Sequence, residues 1–251
     1  MTTQISPPYI DNQQLFTALK DTGYAVLSPK SALDVWGIAS KDVAAWLPSW
    51  NDLPPDAYLK DGGHYRRRRH SCFVATGEDV QLTPHRAHWQ PLEYNALHGG
   101  MQRMFEPMQA NVVQSPAWVS LLNKLGGVCT ALKPETSTWF VEAHQFRIDT
   151  TDGIGRPTPE GAHRDGVDFV AVLLVQRHGI KGGETRVFEV NGPAGQRFTM
   201  TEPWTLLMLD DERVIHESTP IQPMDTEDSG MSYRDTLVLT FRSKAFQGEG
   251  T

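Results

Sequence analysis

Apolar residues at helical spacing predict helices in the first half of the chain. The three stretches cover residues 11–22, 31–47 and 115–131. The first ends at Gly23, and the second is interrupted near Gly37. The third begins with a Ser-Pro pair, which is typical of a helix cap and first turn. The pattern therefore predicts a helical layer over about residues 1–135, with a short strand at residues 24–27.

The second half of the chain shows the pattern of a β protein. Short segments rich in β-branched and aromatic residues are separated by clusters of Gly, Pro, Asp and Asn. They cover residues 139–148, 167–175, 185–190, 197–200, 205–209, 214–217 and 235–241. Such spacing favours a sandwich or barrel over alternating β-α-β units. We expect a single, mainly β domain whose double-sheet core spans about residues 136–245, extended by a hairpin at residues 65–82.

Composition narrows the class of protein. Hydrophobic residues make up 39% of the chain, which excludes wholesale disorder, and a net charge of −7 disfavours binding to nucleic acid or acidic membranes. The two cysteines, Cys72 and Cys129, fit a reducing compartment better than a disulfide framework. No apolar run spans a bilayer and the first residues lack a signal pattern. These features predict a soluble, cytoplasmic protein.

A candidate metal site begins at His163. On an extended strand, alternate side chains share a face, so His163 and Asp165 point together. His216 would complete two histidines and one carboxylate, the triad that leaves positions open on Fe(II) for oxygen chemistry. A chain with 9 His and 30 acidic residues contains a His-x-acid pair by chance, so the pair gains weight only from its context.

That context includes a candidate carboxylate site near the end of the chain. Arg234 and Thr236 share a strand face and present a guanidinium fork and a hydroxyl group. Arg242 has the same parity and is the alternative partner for a carboxylate, although it lies at the far end of the strand. A Gly182-Gly183 turn and a strongly apolar segment lie between this region and the His163 pair.

The order of these motifs resembles the Fe(II)/2-oxoglutarate-dependent dioxygenases. More narrowly, it is similar to the bacterial branch with isoleucine 4-hydroxylase, other free amino-acid dioxygenases and the biofilm-stress-and-motility proteins. The likeness spans roughly residues 60–245. The matching stretches are Tyr65-Arg66-Arg67-Arg68-Arg69, Tyr94-Asn95, Gly99-Gly100, Arg103-x-Phe105-Glu106-Pro107, His144-Gln145-Phe146-Arg147, His163-x-Asp165, Asp210-Asp211-x-Arg213, His216-x-x-Thr219-Pro220-Ile221 and Ser232-Tyr233-Arg234-Asp235.

The resemblance implies a double-stranded β-helix, or jelly-roll, core. It implies His163, Asp165 and His216 as ligands of Fe(II), and Arg234, aided by Thr236, as the partner of the distal carboxylate of 2-oxoglutarate. The implied reaction consumes O₂ and hydroxylates a small molecule, a free L-amino acid, with release of succinate and CO₂. Because Asp165 is present, the resemblance favours hydroxylation over halogenation.

The substrate contacts are less defined by the sequence. Tyr65, Arg67, Gln145 and Arg147 are candidates to line the pocket, with structural roles and ion pairing as the alternatives. Arg147 is also a second alternative to Arg234. The histidines His85, His88 and His98 are interpreted as packing or surface residues.

Two other functions remain open at this level. One is a non-catalytic jelly-roll metal-binding protein in stress or biofilm regulation, and the other is a zinc hydrolase with the same triad. Release of succinate would separate the dioxygenase from the regulatory protein. A hydrolase needs no keto acid, so Arg234 would have no role in it.

Overall fold

The computed structural model describes residues 5–224 and 231–248, and within them the chain is mainly β with a helical layer. The α-helices are α1 (Leu15–Thr22), α2 (Pro29–Trp36), α3 (Ser40–Ala44), α4 (Ala110–Val113) and α5 (Pro116–Leu132), with 3-10 turns at Asn12–Gln14 and Leu47–Trp50. The strands are β1 (Tyr9–Ile10), β2 (Tyr24–Leu27), β3 (Arg66–Thr76), β4 (Asp79–Leu82), β5 (Thr138–Asp149), β6 (Phe169–His178), β7 (Ile180–Gly182), β8 (Thr185–Glu189), β9 (Gly195–Phe198), β10 (Leu206–Asp210), β11 (Val214–Ser218), β12 (Ile221–Pro223) and β13 (Tyr233–Arg242).

Capping residues set the helix boundaries. The Ser115 side chain accepts a hydrogen bond from the Trp118 backbone N–H at 3.2 Å, and Pro116 occupies the first turn of α5. Between α2 and α3, Gly37 adopts the left-handed conformation with φ 65°. The stretch expected at residues 31–47 is therefore two short helices, because this conformation ends α2 and an extended segment precedes α3.

Two sheets form the β core of the described residues. The main sheet has eight strands in the order β1-β2-β10-β6-β13-β5-β3-β4, and the small sheet has three strands in the order β11-β8-β9. Strands β7 and β12 pair separately. Apolar residues of the small sheet, Val187, Phe198 and Val214, pack on Val170 and Leu174 of β6, so the two sheets face each other.

The long strands of the main sheet are buried on both faces. On β5 and β13 one set of alternate residues, which includes Trp139, Val141 and Leu239, packs with the helical layer in a large tryptophan-rich core. The other set faces the space between the sheets and includes the polar residues Glu142 and Thr240. The period of two thus separates an apolar core from a polar cavity.

Part of the region expected to be helical has another structure. Strands β3 and β4 form the hairpin predicted at residues 65–82, and Thr76 pairs with Asp79 across a two-residue turn. Residues 83–109 follow as a long connection without regular helix or strand. The short strands β1, β7 and β12 were not expected, because two or three residues are too few to show a period. No helix in the described part of the chain is long and apolar enough to cross a membrane.

Candidate metal centre and its cavity

Backbone pairing brings His163 and His216 together. His216 lies on β11, and the backbone N–H and C=O groups of the two residues exchange hydrogen bonds of 3.0 and 2.9 Å. Their imidazole rings lie side by side, with centroids 4.6 Å apart. His163 and Asp165 lie in the connection before β6 and not on the regular strand that was assumed from the sequence. The isolated bridge holds the backbone as a strand would.

Asp165 completes a group of three donors. Its Oδ1 lies 3.8 Å from Nε2 of His163, and its Oδ2 lies 3.8 Å from Nε2 of His216. The candidate ligand atoms all lie within 4.8 Å of one another. One ion can bridge such distances, since its bonds to N and O donors are about 2 Å long. The sequence prediction that these three residues converge agrees with this geometry.

The residues around the triad orient it for a metal. Nδ1 of His163 lies 2.9 Å from the carbonyl oxygen of Gly161, which places the imidazole proton on Nδ1 and leaves the Nε2 lone pair free. Asp211 is fully buried and accepts hydrogen bonds from the backbone N–H groups of residues 165, 166 and 167. These bonds fix the loop that carries Asp165. The donor set therefore fits a divalent ion such as Fe(II).

Arg234 faces the same cavity without a partner. Its side chain is buried, its Nε has no hydrogen-bond partner, and no carboxylate of the described residues lies within 4.0 Å of its nitrogens. Burial, aided by Arg177, lowers the pKa of Arg234 to about 10. Thr236 lines the cavity beside it. A buried guanidinium group without an anion is unfavourable, so this end of the cavity suits a carboxylate.

The two alternatives to Arg234 are engaged elsewhere. Arg147 donates to both carboxylate oxygens of Asp235 at 2.8 and 2.7 Å, which is a complete bidentate pair. Arg242 donates to the carbonyl oxygen of Ala245 at 3.0 Å and does not line the cavity. Of the three arginines, Arg234 alone faces the triad.

The four candidate substrate residues lie outside the cavity. Tyr65 donates to Asp61 at 2.5 Å, Arg67 lies 3.6 Å from Asp149, and Gln145 donates to Ser49 at 2.7 Å. Arg147, as described, pairs with Asp235. The physical reason is strand parity. Both faces of β5 are buried. Because each face carries polar residues, polarity alone did not show which residues of β5 face the helices and which face the cavity.

The opposite parity supplies the cavity wall. Arg68 is buried between the rings of Phe105 and Phe146, with its guanidinium carbon 3.8 and 4.5 Å from their centroids. Arg66 pairs with Asp56 at 2.7 Å. Both arginines belong to the motif at residues 65–69, which is among those that resemble the dioxygenases. They lie on the opposite strand face from Arg67, the candidate substrate residue of this strand.

A second cluster of donors, which we call the histidine cluster, consists of His70, His88, Glu142 and His144. Oε2 of Glu142 lies 2.9 Å from Nε2 of His70 and 2.7 Å from Nδ1 of His88. The spacing also suits a metal. However, the permanently protonated Arg68 lies 2.8 Å from Nδ1 of His144 and must donate to it. The proton of the neutral His144 ring then sits on Nε2, which removes that lone pair from a metal.

Burial keeps the histidine cluster uncharged. It lowers the pKa of His88 to about 3 and also lowers the pKa values of His70 and His144. The neutral rings therefore act as N–H donors that stabilise the ionised Glu142. His88 and His98 are both buried, and His88 lines the cavity rather than only packing.

Gln90 links the cavity wall to the metal centre. Its Oε1 accepts hydrogen bonds from Arg103 and Asn95, both at 3.0 Å. Its Nε2 donates to Oδ1 of Asp165 at 3.2 Å. These partners show which atom of the Gln90 amide is the oxygen and which is the nitrogen. The sequence gave no reason to single out Gln90, although Arg103 and Asn95 lie in the motifs that resembled the dioxygenases.

We expect Gln90→Leu to weaken binding of Fe(II) about tenfold, because groups that orient metal ligands typically contribute that much. The measurement is an anaerobic titration of Fe(II), corrected for the folded fraction. Gln81→Leu is the matched control, since Gln81 is exposed on the distant strand β4, where its side chain donates to Asp79. Equal iron affinity in the two variants would show that Gln90 does not orient Asp165.

Comparison with known proteins agrees with this site. A family model described as 2OG-Fe dioxygenase matches residues 47–240. A solved structure of a bsmA homolog from Methylobium petroleophilum PM1 is 50% identical to the chain, with a TM-score of 0.90, and the match covers 96% of this chain and 97% of that one. None of the curated proteins matches the chain.

More distant structures share the fold. IDO from Bacillus thuringiensis is 16% identical, with a TM-score of 0.74 and coverage of 98% of this chain and 100% of that one. The Fe(II)/α-ketoglutarate-dependent dioxygenase TqaL is 19% identical, with a TM-score of 0.71 and coverage of 94% and 88%. The jelly-roll class predicted from the resemblance is confirmed.

Proposed function

The chain belongs to the 2OG-Fe dioxygenase family, and we propose that it hydroxylates a free L-amino acid. The enzyme is a 2-oxoglutarate-dependent dioxygenase that uses Fe(II) and 2-oxoglutarate. The proposal concerns its substrate and the residues that bind each group. One observation carries it: four buried arginines line a single cavity, and two of them, Arg234 and Arg103, have no carboxylate of the described residues within 4.0 Å.

Arg234 is assigned to the cosubstrate. His163, Asp165 and His216 would hold Fe(II), and Arg234 with Thr236 would bind the far carboxylate of 2-oxoglutarate. When bound, the iron would let O₂ act as the oxidant of both organic molecules: one oxygen atom would go to the C–H bond, giving an alcohol, and the other to 2-oxoglutarate, giving succinate and CO₂. The chain orients its ligands through Gly161 and Asp211. It limits water through the apolar side chains of Ile148, Val172 and Val238, which line the cavity.

Arg103 is assigned to the carboxylate of the substrate. It is 2% exposed, and its Nε has no hydrogen-bond partner. Burial and the neighbouring Arg66 lower its pKa to about 10, against the opposing effect of Asp56 and Glu160. Arg66 pairs with Asp56 at 2.7 Å, whereas Arg103 has no carboxylate of the described residues within 4.0 Å. Arg103 is therefore the guanidinium group that is open to the carboxylate of a substrate.

The remaining wall of the cavity suits an aliphatic side chain. The apolar side chains that line it are Phe146, Ile148, Val167, Val172 and Val238. A molecule with a carboxylate at one end and an aliphatic chain at the other would satisfy both parts of the wall. The bsmA homolog and TqaL resemble this chain in fold, and the substrate is inferred from the cavity and from the motif resemblance.

The test is a screen of the twenty L-amino acids for release of succinate with Fe(II), ascorbate and 2-oxoglutarate. We expect at least one aliphatic L-amino acid to raise succinate release about tenfold or more above the uncoupled rate, and to gain one oxygen atom by mass spectrometry. The D-enantiomer and the Asp165→Ala protein serve as controls. If no amino acid stimulates succinate release, the amino-acid proposal fails, and the substrate of this dioxygenase belongs to another class of molecule.

A further inference from the structure

A second charged group in the cavity has no Lys or Arg partner among the described residues, and it has the opposite sign to Arg103. Glu160 lies in the connection three residues before His163, lines the cavity, and is mostly buried. Its Oε2 has no hydrogen-bond partner. Its Oε1 lies 3.6 Å from Nε2 of His163, but no Lys or Arg nitrogen of the described residues lies within 4.0 Å of the carboxylate. A buried carboxylate without a cation is unfavourable.

The other buried carboxylates near the cavity are already satisfied. Glu142 accepts hydrogen bonds from His70 and His88, and Asp56 pairs with Arg66. Asp211 accepts three backbone N–H groups. Glu160 also lies outside the set of three donors that converge at Asp165. Glu160 is therefore the carboxylate that the protein leaves open to a ligand.

Bound iron and cosubstrate would not neutralise Glu160. Asp165 and one carboxylate of 2-oxoglutarate would balance the two charges of Fe(II), and Arg234 would balance the other carboxylate. The charges of Glu160 and Arg103 would then remain on the cavity wall. A ligand that carries both a cation and an anion would complement this pair.

We infer that Glu160 binds the α-ammonium group of the substrate while Arg103 binds its carboxylate. The inference rests on the proposed function and deepens it. An α-amino acid carries both charges on one carbon, and the two residues are near enough to interact electrostatically. The substrate class then consists of free α-amino acids. Acids without the amino group, and amino acids whose nitrogen is acylated or part of a peptide bond, are excluded.

The experiment compares each amino acid with two counterparts that keep the carboxylate but lack the ammonium charge. The probes are L-leucine, L-isoleucine and L-methionine, each beside its 2-hydroxy acid and its N-acetyl derivative. We measure kcat/KM from succinate release, and Kd by calorimetry without O₂, with Mn(II) in place of Fe(II). For the wild type we expect the amino acid to be preferred at least about tenfold, the loss typical of removing one charged hydrogen-bond partner.

Glu160→Gln separates this role from a structural one. We expect it to raise KM and Kd for the amino acid at least about tenfold while leaving the values for the 2-hydroxy acid within about twofold. Glu184→Gln is the matched control, because Glu184 is a partly buried carboxylate that pairs with Arg186 outside the cavity. We expect this control to keep the wild-type preference.

The outcomes separate the inference from the proposed function. If an amino acid is turned over but Glu160→Gln keeps the full preference for it, the inference is overturned and the proposed function stands. If the wild type accepts the 2-hydroxy acid as well as the amino acid, the inference also fails, even if the variant does not fold. If none of the twenty amino acids is a substrate, both fail.

Discussion

Replacing Asp165 with alanine is expected to lower the rate of succinate release at least about a thousandfold, which corresponds to an activation barrier higher by ~4 kcal/mol. Asp165 contributes the carboxylate among the three convergent donors, and its two oxygens each lie 3.8 Å from a histidine Nε2. Burial raises the pKa of Asp165, so its ionised form is costly without a cation. Without this ligand, two neutral imidazoles would remain to bind a divalent ion.

The fold should survive this substitution, because the backbone of the loop is held by Asp211 rather than by the Asp165 side chain. The checks are an Fe(II) titration, a thermal unfolding curve and the succinate assay. Asp34→Ala is the control, since Asp34 is an exposed carboxylate that pairs with Lys30 on α2. Near-wild-type turnover in Asp165→Ala would remove Asp165 from the ligand set.

Arg234→Lys is expected to raise the requirement for 2-oxoglutarate well above tenfold, a loss of at least ~1.4 kcal/mol. Lysine keeps the charge but loses the planar fork that gives two parallel hydrogen bonds to a carboxylate. The nearby Arg177 does not compensate, because it donates to backbone carbonyl groups of Met200 and Gly182. Binding of Fe(II) should change little, since Arg234 is not among its donors.

A titration of 2-oxoglutarate beside a titration of Fe(II), on both proteins, measures this effect. Arg242→Lys is the matched control, because Arg242 lies on the same strand and outside the cavity. We expect it to keep the wild-type dependence on 2-oxoglutarate. Equal dependence in wild type and Arg234→Lys would instead remove Arg234 from the 2-oxoglutarate site.

The ordered motifs were sufficient to predict the fold class and the convergence of the triad. Residues 163 and 165 share a face wherever the backbone is extended, and the spacing from Arg234 to Thr236 has the same property. Neither inference needs the position of a neighbouring strand. The helix cap at Ser115 was equally local, and α5 begins where this side chain accepts a backbone N–H.

The substrate wall could not be predicted in this way. Gln145 and Arg147 lie on the same face of β5 as Trp139 and Val141, and that face packs on the helical layer. In a strand with one face in solvent, polarity identifies the exposed face. Both faces of β5 are buried, so polar residues occur on each, and only the packing of a whole layer decides which face lines the cavity.

The amino-acid sequence determined the local features of this protein: the helix caps, the period of the strands, and the residue types that can hold a divalent ion and a carboxylate. Tertiary structure decided which charges meet. The connection over residues 83–109 has no period, yet it brings Gln90 and Arg103 to the metal centre. Glu160 and Arg103, far apart in the chain, line one cavity, and each has a buried polar atom without a hydrogen-bond partner among the described residues. The physical reason is that hydrogen bonding and desolvation depend on distance in space, which spacing along the chain specifies only within a single helix or strand.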